Sequence, residues 1–358
     1  MIKILTILGS RPQFIKASVL SNLLKKEKNI QETILHTGQH YDFNMSKIFF
    51  NQLKIPKPKY HLNTKSFNHG EMVAKMMTRI EKILLNNKYD LVLLYGDTNS
   101  TIAGALVSSK LHIPIVHVEA GLRSFNKKMP EEINRILTDH CSSLLFVPSL
   151  IAKKNLINEG INLNLIKNVG DIMFDLFKKH FHQKVKKTND ILVTLHRAEI
   201  TNSKKKLLNV VENLNNLSSI YKIVFPIHPR TLMVLKKFKL FNKLNKKIKI
   251  IKPLSYFDNI NMLIRSKMLI TDSGGMQKES LYAKVQTITV RDQTEWPETI
   301  NSNWNRLVKP KYDNIFKIVK KNFTKKGKNT KPYGKGNTAN LIIKHIKNKK
   351  LFNKIKCS

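Results

Sequence analysis

Short apolar runs that alternate with helical patterns are the feature that most constrains the fold of this chain. IKILTIL from Ile2, DLVLLY from Asp90 and IPIVHV from Ile113 are three such runs, and a polar turn and a helical segment follow each of them. Continuous apolar runs of this length are typical of strands buried in a parallel sheet, and the helices supply the crossovers between them. The alternation therefore predicts an α/β chain with doubly wound parallel sheets.

The length of the chain and one break in this rhythm predict two domains. At 358 residues the chain is too long for one comfortable core and suits two domains of roughly 150 to 180 residues each. A Lys-rich segment from Lys178 to Asn189 interrupts the apolar pattern, and the alternation starts afresh after it. We therefore expect an N-terminal domain over residues 1–177 and a C-terminal domain over residues 178–358, whose last helices are candidates for packing back on the first domain.

The formal net charge of +40 suggests binding to nucleic acid or membrane, but the kind of basic residue argues against it. Only 9 basic residues are Arg and 55 are Lys, and abundant Asn and Ile accompany the lysines, which indicates a genome-wide compositional bias. Lysines on helix faces and in the tail are more typical of a solvated surface than of a specific polyanion site. We therefore expect no specific nucleic-acid partner. Seven of the arginines lie in or beside the motifs described below, namely Arg11, Arg123, Arg135, Arg197, Arg230, Arg291 and Arg306.

The cysteines and the apolar runs exclude several other classes. Cys141 and Cys357 lie far apart, without a CxxC pair or a Cys/His cluster at zinc spacing, so neither a disulfide framework nor a structural metal is indicated. No apolar run reaches the ~18 residues that a membrane span needs. A reducing cytoplasm is therefore the expected compartment.

Carboxylates and arginines are concentrated in the segment from Ile113 to Arg135. Its apolar run ends at Glu119, and a helix that opens with Pro130 carries Glu131 in its first turn. Asp97 ends the preceding strand, and the carboxyl ends of parallel strands are where open α/β sheets bind ligands. The alternative is purely structural, with an acidic first turn favoured by the helix dipole and Asp97 as a helix cap.

Two further places in the first half carry candidate ligand groups. Arg11 and Lys16 follow a Gly-containing turn at the start of a helix, where free N–H groups favour an anion, although no GxGxxG or P-loop motif is present. Gln39 and His40 end the second strand, and His40 is either a site residue or a loop histidine.

The second half offers a phosphate-binding turn. In the SGG turn that follows MLITD, two glycines allow backbone N–H groups to approach an anion, and the helix dipole adds attraction. Glu279, one turn into that helix, is suited to pair with ribose hydroxyls, while a plain tight turn is the alternative. The other polar groups at predicted strand ends are His196, Arg197, His228 and Arg230, and the later segment TITVRDQTEWPETI carries Arg291, Glu295 and Glu298.

Two doubly wound domains with polar groups at their strand ends are expected to face each other across a cleft. The second half supplies groups for a nucleoside diphosphate, and the first half supplies carboxylates. A diphosphate leaving group opposite carboxylates indicates chemistry at a glycosyl carbon or its neighbour, with the carboxylates transferring protons.

These motifs resemble, in order and spacing, those of the non-hydrolysing UDP-N-acetylglucosamine 2-epimerase family. They are GSRPQFIKA, TGQH, YGDTNST, HVEAGLR, PEEINR, the histidine of TLHR, TDSGG with its following glutamate, and RDQTEWPE, and they cover about Met1 to Pro310. The resemblance implies a GT-B-type pair of Rossmann-like domains, usually a homodimer. It also implies reversible epimerisation at C2 of a UDP-sugar without an oxidising cofactor or a metal, in which UDP is eliminated to a 2-acetamidoglycal and then added back.

The resemblance also implies roles for individual residues. The acid and base candidates are Asp97, Glu119 and Glu131, which Arg135 would orient, and His196 would assist the departing diphosphate. The candidate substrate-binding residues are Arg11, Lys16, Gln39, His40, Arg197, His228, Ser273, Gly274, Gly275, Glu279 and Arg291.

The sequence leaves more than one candidate for the sugar and for the class of protein. Interconversion of UDP-GlcNAc and UDP-ManNAc, for surface-polysaccharide precursors, is the first expectation. YDFNM after His40 departs from the best-known branch, and Gln13, Phe14 and Trp296 look more like the branch that acts on UDP-2,3-diacetamido-2,3-dideoxyglucuronate. A GT-B glycosyltransferase and a polyanion-binding protein are the alternatives from other classes.

Overall fold

A computed structural model of the chain describes residues 1–39, 53–64, 68–181 and 185–348. The strands within these residues are β1 (Ile2–Leu8), β2 (Ile30–His36), β3 (Tyr60–His61), β4 (Leu91–Tyr95), β5 (Ile115–Val118), β6 (Leu144–Val147), β7 (Ile166–Asn168), β8 (Ile191–Thr194), β9 (Ile223–Pro226), β10 (Lys249–Ile251), β11 (Met268–Thr271), β12 (Gln286–Val290) and β13 (Asn305–Val308). The helices are α1 (Arg11–Leu24), α2 (His69–Leu85), α3 (Asn99–Lys110), α4 (Pro130–Cys141), α5 (Leu150–Asn158), α6 (Ile172–His180), α7 (Ala198–Thr201), α8 (Lys204–Ser218), α9 (Pro229–Lys237), α10 (Tyr256–Arg265), α11 (Gly274–Ala283), α12 (Pro297–Asn301), α13 (Ile315–Asn322) and α14 (Thr338–Ile346).

The strands form two sheets, and every strand pair in them is parallel. One sheet has the order β3-β2-β1-β4-β5-β6-β7, and the other has the order β10-β9-β8-β11-β12-β13. In each sheet the strand order reverses between two neighbours, β1 and β4 in the first and β8 and β11 in the second. Such reversals are where doubly wound sheets bind ligands. The predicted α/β fold with two doubly wound parallel sheets is confirmed.

The chain divides into two compact units, and it returns to the first one near its end. Met1–Lys179 and the described residues from Lys331 onward form the first unit, and His180–Thr330 forms the second. Helix α14 is tied to the first unit because the Thr338 hydroxyl donates to the Val169 carbonyl at 3.0 Å. The backbone N–H groups of Thr338 and Ala339 also donate to the Asp175 carboxylate, at 3.0 and 2.8 Å.

Close packing of helices on the sheet fixes the strand ends in the first unit. Helix α3, rich in small residues, lies so near the sheet that a Cβ at Gly104 would come within 2.9 Å of Ile7 and of Leu94. Met76 and Ile80 of α2 are fully buried in the same core. The helix N-termini are thereby held at the carboxyl edge of the sheet, where the candidate site residues begin.

No helix of the described residues is long and apolar enough to cross a membrane. In the same part of the chain, no group of three or more His, Cys, Asp or Glu side chains is placed to hold a metal ion.

Candidate active site

Asp97 and Glu119 lie at the carboxyl ends of two neighbouring strands of the first unit. Tyr95 of β4 pairs with Val118 of β5, so the residues that follow both strands emerge at the same edge of the sheet. Glu119 has a left-handed φ of +73°, which costs a non-glycine residue roughly 1 kcal/mol. Its N–H and that of Ala120 both donate to the Phe146 carbonyl at 3.1 Å. The end of β6 thus holds the Glu119 backbone in this conformation.

Lys16 pairs with Glu119 in a nearly dry environment. The ammonium group of Lys16, from α1, hydrogen-bonds the Glu119 carboxylate, and both side chains are at most 10% exposed. Gly96 leaves room for this pair, because a Cβ there would lie 3.2 Å from Lys16 Nζ and 3.7 Å from Glu119 Oε1. Lys16, which the sequence suggested as a substrate-binding residue, therefore neutralises a candidate catalytic carboxylate directly.

Arg135 is a buried ion-pair partner of Asp97. Its Nη2 donates to Asp97 Oδ2, and its Nη1 donates to Glu132 Oε2 at 3.0 Å. The Arg135 side chain is 4% exposed, whereas that of Asp97 is 27% exposed. Asp97 does not cap α3, since Thr98 occupies that position and its hydroxyl accepts from the Thr101 N–H. The Asp97 carboxylate is therefore oriented by a buried cation and remains accessible.

Glu131 and Glu132, adjacent in the first turn of α4, have different environments. Glu132 is buried, and its carboxylate accepts from the N–H and hydroxyl of Ser124 and from the Phe125 N–H, at 2.7 to 3.1 Å. Glu131 is partly buried and makes no hydrogen bond or ion pair with another described residue. The carboxylate that organises the loop is thus Glu132, which the sequence analysis did not select, although its i,i+3 spacing to Arg135 was visible. Glu131 keeps its carboxylate available.

A buried network supports the loop that carries Glu119. His117 Nδ1 and Asp139 Oδ1 are 2.7 Å apart, and Arg123 Nη1 donates to Asp139 Oδ2 at 2.7 Å. Arg123 also forms a bidentate pair with Glu159 at 2.6 Å. Burial by itself would raise the pKa of Asp139, but the hydrogen bond to His117 and the charge of Arg123 outweigh it and lower the pKa. The ionised Asp139 therefore fixes both sides of the loop after β5.

The backbone N–H groups just before α1 are less available to an anion than the sequence suggested. The Gln13 side-chain oxygen accepts from the N–H groups of Gly9 and Ser10 at 2.8 and 3.1 Å, and its amide donates to the Tyr95 carbonyl at 3.0 Å. These two N–H groups are consequently occupied. Arg11 is partly buried at the first position of α1.

Gln39 and His40 were expected together at the end of β2. Gln39 Oε1 accepts from the Ser100 N–H at 3.0 Å and from its hydroxyl at 2.7 Å, so the Gln39 side chain satisfies the start of α3. His40 lies outside the described residues.

In the second unit, Asp272 organises the strand ends, and the sequence analysis did not select it. Its buried carboxylate accepts from the N–H groups of His196 and Arg197 at 2.8 to 3.1 Å. His196 Nδ1 lies 3.4 Å from Asp272 Oδ1, and the His196 side chain is 43% exposed. The rings of His196 and His228 are 5.7 Å apart. Asp272 therefore joins β11 to the end of β8 and leaves the His196 ring accessible.

The SGG turn opens α11 as a helix N-terminus with available donors. The Ser273 hydroxyl accepts from the Met276 N–H at 3.5 Å. The N–H groups of Gly274 and Gly275 belong to the first turn, which has no intrahelical acceptors, and they donate to no other described residue. A Cβ at Gly275 would meet nothing within 4 Å. This turn has the geometry of an anion-binding site.

A carboxylate beside this turn is neutralised by arginines. A Cβ at Gly274 would lie 2.4 Å from Glu295 Oε1, so a side chain there would displace the Glu295 carboxylate. Arg291 Nη1 donates to Glu295 Oε2 at 2.9 Å, and Arg197 Nη2 lies 3.9 Å from Glu295 Oε1. The predicted ligand residue Arg291 is thus a buried partner of Glu295, while Arg197 is more exposed and nearer the turn.

The remaining predicted residues of this unit are placed as follows. Glu279 is buried within α11. His228 is the N-cap of α9, and its Nδ1 accepts from the Arg230 N–H at 3.2 Å. The structure therefore brings His196, Arg197, His228 and the SGG turn to the carboxyl edge of one sheet.

Comparison with known proteins gives concordant matches over almost the whole chain. The family model described as UDP-N-acetylglucosamine 2-epimerase matches residues 22–347. A UDP-N-acetylglucosamine 2-epimerase of Methanocaldococcus jannaschii is 46% identical over 359 residues, which are 96% of this chain and 98% of that protein. A UDP-2,3-diacetamido-2,3-dideoxy-D-glucuronate 2-epimerase of Pseudomonas aeruginosa is also 46% identical, over 96% of this chain and 99% of that protein.

Two crystal structures of similar proteins were determined with nucleotide sugars. The structure of the M. jannaschii UDP-GlcNAc 2-epimerase in complex with UDP-GlcNAc and UDP has a TM-score of 0.88 at 45% identity, covering 96% of this chain and 99% of that one. The UDP-GlcNAc 2-epimerase from Neisseria meningitidis bound to UDP-GlcNAc has a TM-score of 0.84 at 28% identity, covering 96% and 99%.

Proposed function

The chain belongs to the UDP-N-acetylglucosamine 2-epimerase family, and from that premise we propose that it interconverts UDP-N-acetylglucosamine and UDP-N-acetylmannosamine. The observation that carries the proposal is the pair of carboxylates at the ends of β4 and β5, each held by a buried cation. The ligands of the two similar crystal structures support a UDP-sugar as substrate.

The chemistry explains why more than one carboxylate is needed. The C2 proton has no adjacent carbonyl to acidify it, so it leaves as the C1–O bond breaks and the bonding electrons depart with UDP. The C2–H electrons then form the C1=C2 double bond of a 2-acetamidoglycal, and a carboxylate takes the proton. Addition of UDP to C1 and of a proton to the opposite face of C2 gives the epimer. Two faces require two proton-transferring groups.

Asp97, Glu119 and Glu131 are the groups that we assign to this proton transfer. Asp97 and Glu119 each accept a hydrogen bond from a buried cationic side chain, that of Arg135 and that of Lys16, which fixes the position of the carboxylate. Glu131, without a protein partner among the described residues, completes the set.

The second unit supplies the groups for the diphosphate. We assign the N–H groups of Gly274 and Gly275 to a phosphate oxygen, where the dipole of α11 adds attraction. His196 and Arg197, fixed through their backbone by Asp272, stabilise the charge that develops on departing UDP. Glu279 is assigned to the ribose hydroxyls.

The diacetamido-glucuronate sugar is the second candidate, because the P. aeruginosa relative is as similar as the M. jannaschii one. The sequence features that suggested this branch have structural roles, however. Gln13 is buried, and its side-chain amide hydrogen-bonds the start of α1 and the end of β4. Trp296 is also buried, and the Lys278 ammonium lies 3.9 Å from the centre of the Trp296 ring. These residues therefore do not favour the second sugar.

Proton exchange with solvent tests the proposal. Purified protein is incubated with UDP-GlcNAc alone in heavy water, and the sugar is followed by NMR. We expect UDP-ManNAc with deuterium at C2. A glycosyltransferase would leave the stereochemistry at C2 unchanged, and the absence of both epimer and deuterium would refute the proposal.

A parallel incubation with UDP-2,3-diacetamido-2,3-dideoxyglucuronate identifies the preferred sugar from the ratio of kcat/KM values. A homodimer, a cytoplasmic location and a role in supplying surface-polysaccharide precursors remain predictions from the family resemblance.

A further inference from the structure

The Glu295 carboxylate borders the SGG turn, where a negative charge by itself repels a phosphate. Its Oε1 would lie 2.4 Å from a Cβ at Gly274, the first residue of α11. The Glu295 side chain is 6% exposed, so solvent ions screen its charge only weakly. A buried carboxylate beside a turn with anion-binding geometry therefore needs a role other than contact with the phosphate.

Two sets of contacts fix Glu295 in this position. Arg291 Nη1 donates to Glu295 Oε2 at 2.9 Å, and the Arg291 side chain is 1% exposed. The preceding residue, Thr294, donates its hydroxyl to Gln277 Oε1 at 2.7 Å. Gln277 is fully buried in α11, and its amide donates to the Ser273 carbonyl at 3.4 Å. These contacts tie the segment that carries Glu295 to the helix that opens with the SGG turn.

The other oxygen of the carboxylate, Glu295 Oε1, faces Arg197. Arg197 Nη2 lies 3.9 Å from this oxygen and would lie 3.5 Å from a Cβ at Gly274. The Asp272 carboxylate accepts from the Arg197 N–H at 2.8 Å, but a backbone contact does not select one rotamer of this long side chain. The Arg197 side chain is 25% exposed. Its guanidinium is therefore accessible to a ligand and lies beside the SGG turn.

We propose that Glu295 is a positioning residue, which holds the Arg197 guanidinium beside the SGG turn so that the turn and Arg197 bind the same phosphate group of UDP. This inference rests on the function proposed above. A side chain that is ordered before the ligand arrives loses less conformational freedom on binding, and the fixed fork of a guanidinium binds phosphate oxygens best in one orientation. The buried charge of Arg291 offsets that of Glu295, so the carboxylate orients Arg197 with little net repulsion of the phosphate.

The direction of the change in UDP affinity tests this inference. If Glu295 had no positioning role, Glu295→Gln would remove a negative charge beside a phosphate and tighten the binding of UDP. We expect weaker binding, by roughly tenfold, because Arg197 loses the group that orients its charge-assisted hydrogen bonds. Calorimetric titration of UDP into the full chain at constant ionic strength measures the change, and circular dichroism verifies folding.

Asp292→Asn is the matched control for charge. It removes a carboxylate from the same segment, but the Asp292 side chain is 56% exposed and pairs with Lys206. It should change UDP affinity less than about twofold, because exposed charges are screened. UDP binding by Glu295→Gln that is as tight as in the unmodified protein, or tighter, would overturn the inference alone. Failure of the unmodified protein to bind UDP would instead refute the proposed function, and this inference with it.

A double-mutant cycle distinguishes positioning from a general loss of structure. Arg197→Gln should weaken UDP binding, and Glu295→Gln in that background should cause no further loss, because the two residues act as a unit. Losses that add would overturn the inference. Thr294→Val and Thr294→Ser are a milder pair that leaves the buried contact of Arg291 with Glu295 in place. The valine variant lacks the hydroxyl that Gln277 accepts and should bind UDP several-fold more weakly than the serine variant; equal affinities would contradict the inference.

The chemical reactivity of Arg197 provides a readout without any nucleotide. An arginine-selective dicarbonyl reagent is applied to the unmodified protein and to Glu295→Gln, and modification of each arginine is read from its peptide by mass spectrometry. We expect Arg197 to react several-fold faster in the variant, because its guanidinium is no longer held. Exposed Arg265, at the end of α10, should react equally in both proteins. Equal rates at Arg197 in the two proteins would overturn the inference.

Discussion

Glu119 combines a left-handed backbone with a buried contact to Lys16, and this combination makes its carboxylate the most informative one to replace. Glu119→Gln keeps the size of the side chain and removes its capacity to accept a proton. We predict a fall in kcat of about 10²- to 10⁴-fold, the usual contribution of a general acid or base. UDP affinity should change less than about threefold, because the groups that we propose for the diphosphate are in the second unit. Steady-state epimerisation and calorimetric UDP titration measure the two quantities.

The control for this substitution is Glu71→Gln, at an exposed carboxylate of α2 that pairs only weakly with Lys75. It should retain the rate of the unmodified protein. A Glu119→Gln variant with an unchanged rate would remove Glu119 from the proton-transferring set.

Gly96 is the second residue with a decisive local geometry. Its φ is +63°, and a Cβ would contact Lys16 and Glu119. We predict that Gly96→Ala lowers kcat/KM at least about tenfold and destabilises the protein by about 1 kcal/mol. Gly160→Ala is the matched control, since its φ is +80° but a Cβ there would meet no atom within 4 Å. It should show the loss of stability by thermal unfolding without the loss of activity, and equal activity losses in both variants would contradict the assignment.

At the scale of elements, Glu32 links β2 to β1 and α1. Its Oε1 accepts from the hydroxyls of Thr6 at 2.6 Å and Ser21 at 3.0 Å. Burial raises its pKa to about 7, against the lowering effect of these two hydrogen bonds. The native state therefore holds this proton more tightly than the unfolded state does. The stability that Glu32 contributes is complete below about pH 4.5 and is lost as the pH rises through about 7.

Glu32→Gln removes this titration and keeps an acceptor for both hydroxyls. We predict that the variant is about 1 to 2 kcal/mol more stable than the unmodified protein at pH 8, and that the difference shrinks towards pH 4.5. We expect a stability difference at the lower end of what this rise in pKa allows, because the Glu32 side chain retains some solvent contact. Urea unfolding across this pH range measures the difference. The exposed Glu81→Gln of α2 should show a difference that is flat with pH, and a flat difference for Glu32→Gln would refute the prediction.

Elements and their ends were predictable from the sequence, but the partners of the side chains were not. Apolar runs located the strands, and polar residues at their ends located Asp97, Glu119 and the SGG turn. Sequence pattern does not reveal pairings between distant segments, such as Gln13 with Tyr95 or Asp272 with His196. For the same reason it did not distinguish Glu131 from Glu132, whose carboxylate meets the Ser124 loop only in the folded chain.

At the scale of the whole molecule, the return of the chain to its first unit makes α14 a stability determinant of that unit. Ile342 and Ile346 of α14 are buried, and the helix packs on α1. We predict that ending the chain after Thr330 destabilises the first unit by several kcal/mol, since burying each Ile side chain contributes about 1.5 to 3 kcal/mol.

Hydrogen exchange read by mass spectrometry locates the effect of this truncation. Amides of α1 and β7 should exchange faster, and amides of α11 and β12, in the second unit, should be unchanged and provide the internal control. Faster exchange throughout both units, or in neither, would contradict the assignment of α14 to the first unit.

Because the chain passes from the first unit to the second and later returns, the two units are completed in a fixed order during synthesis. The second unit, from His180 to Thr330, is a continuous stretch, so a ribosome finishes it in one uninterrupted interval of roughly 8 to 30 s. The first unit is interrupted, because its sheet is translated early and α14 emerges only after that interval. During synthesis there is therefore a stage at which the second unit is complete but the contacts of Val169 and Asp175 with α14 have not yet formed. Chaperones that shield the surface of the first unit on which α14 packs would act at this stage.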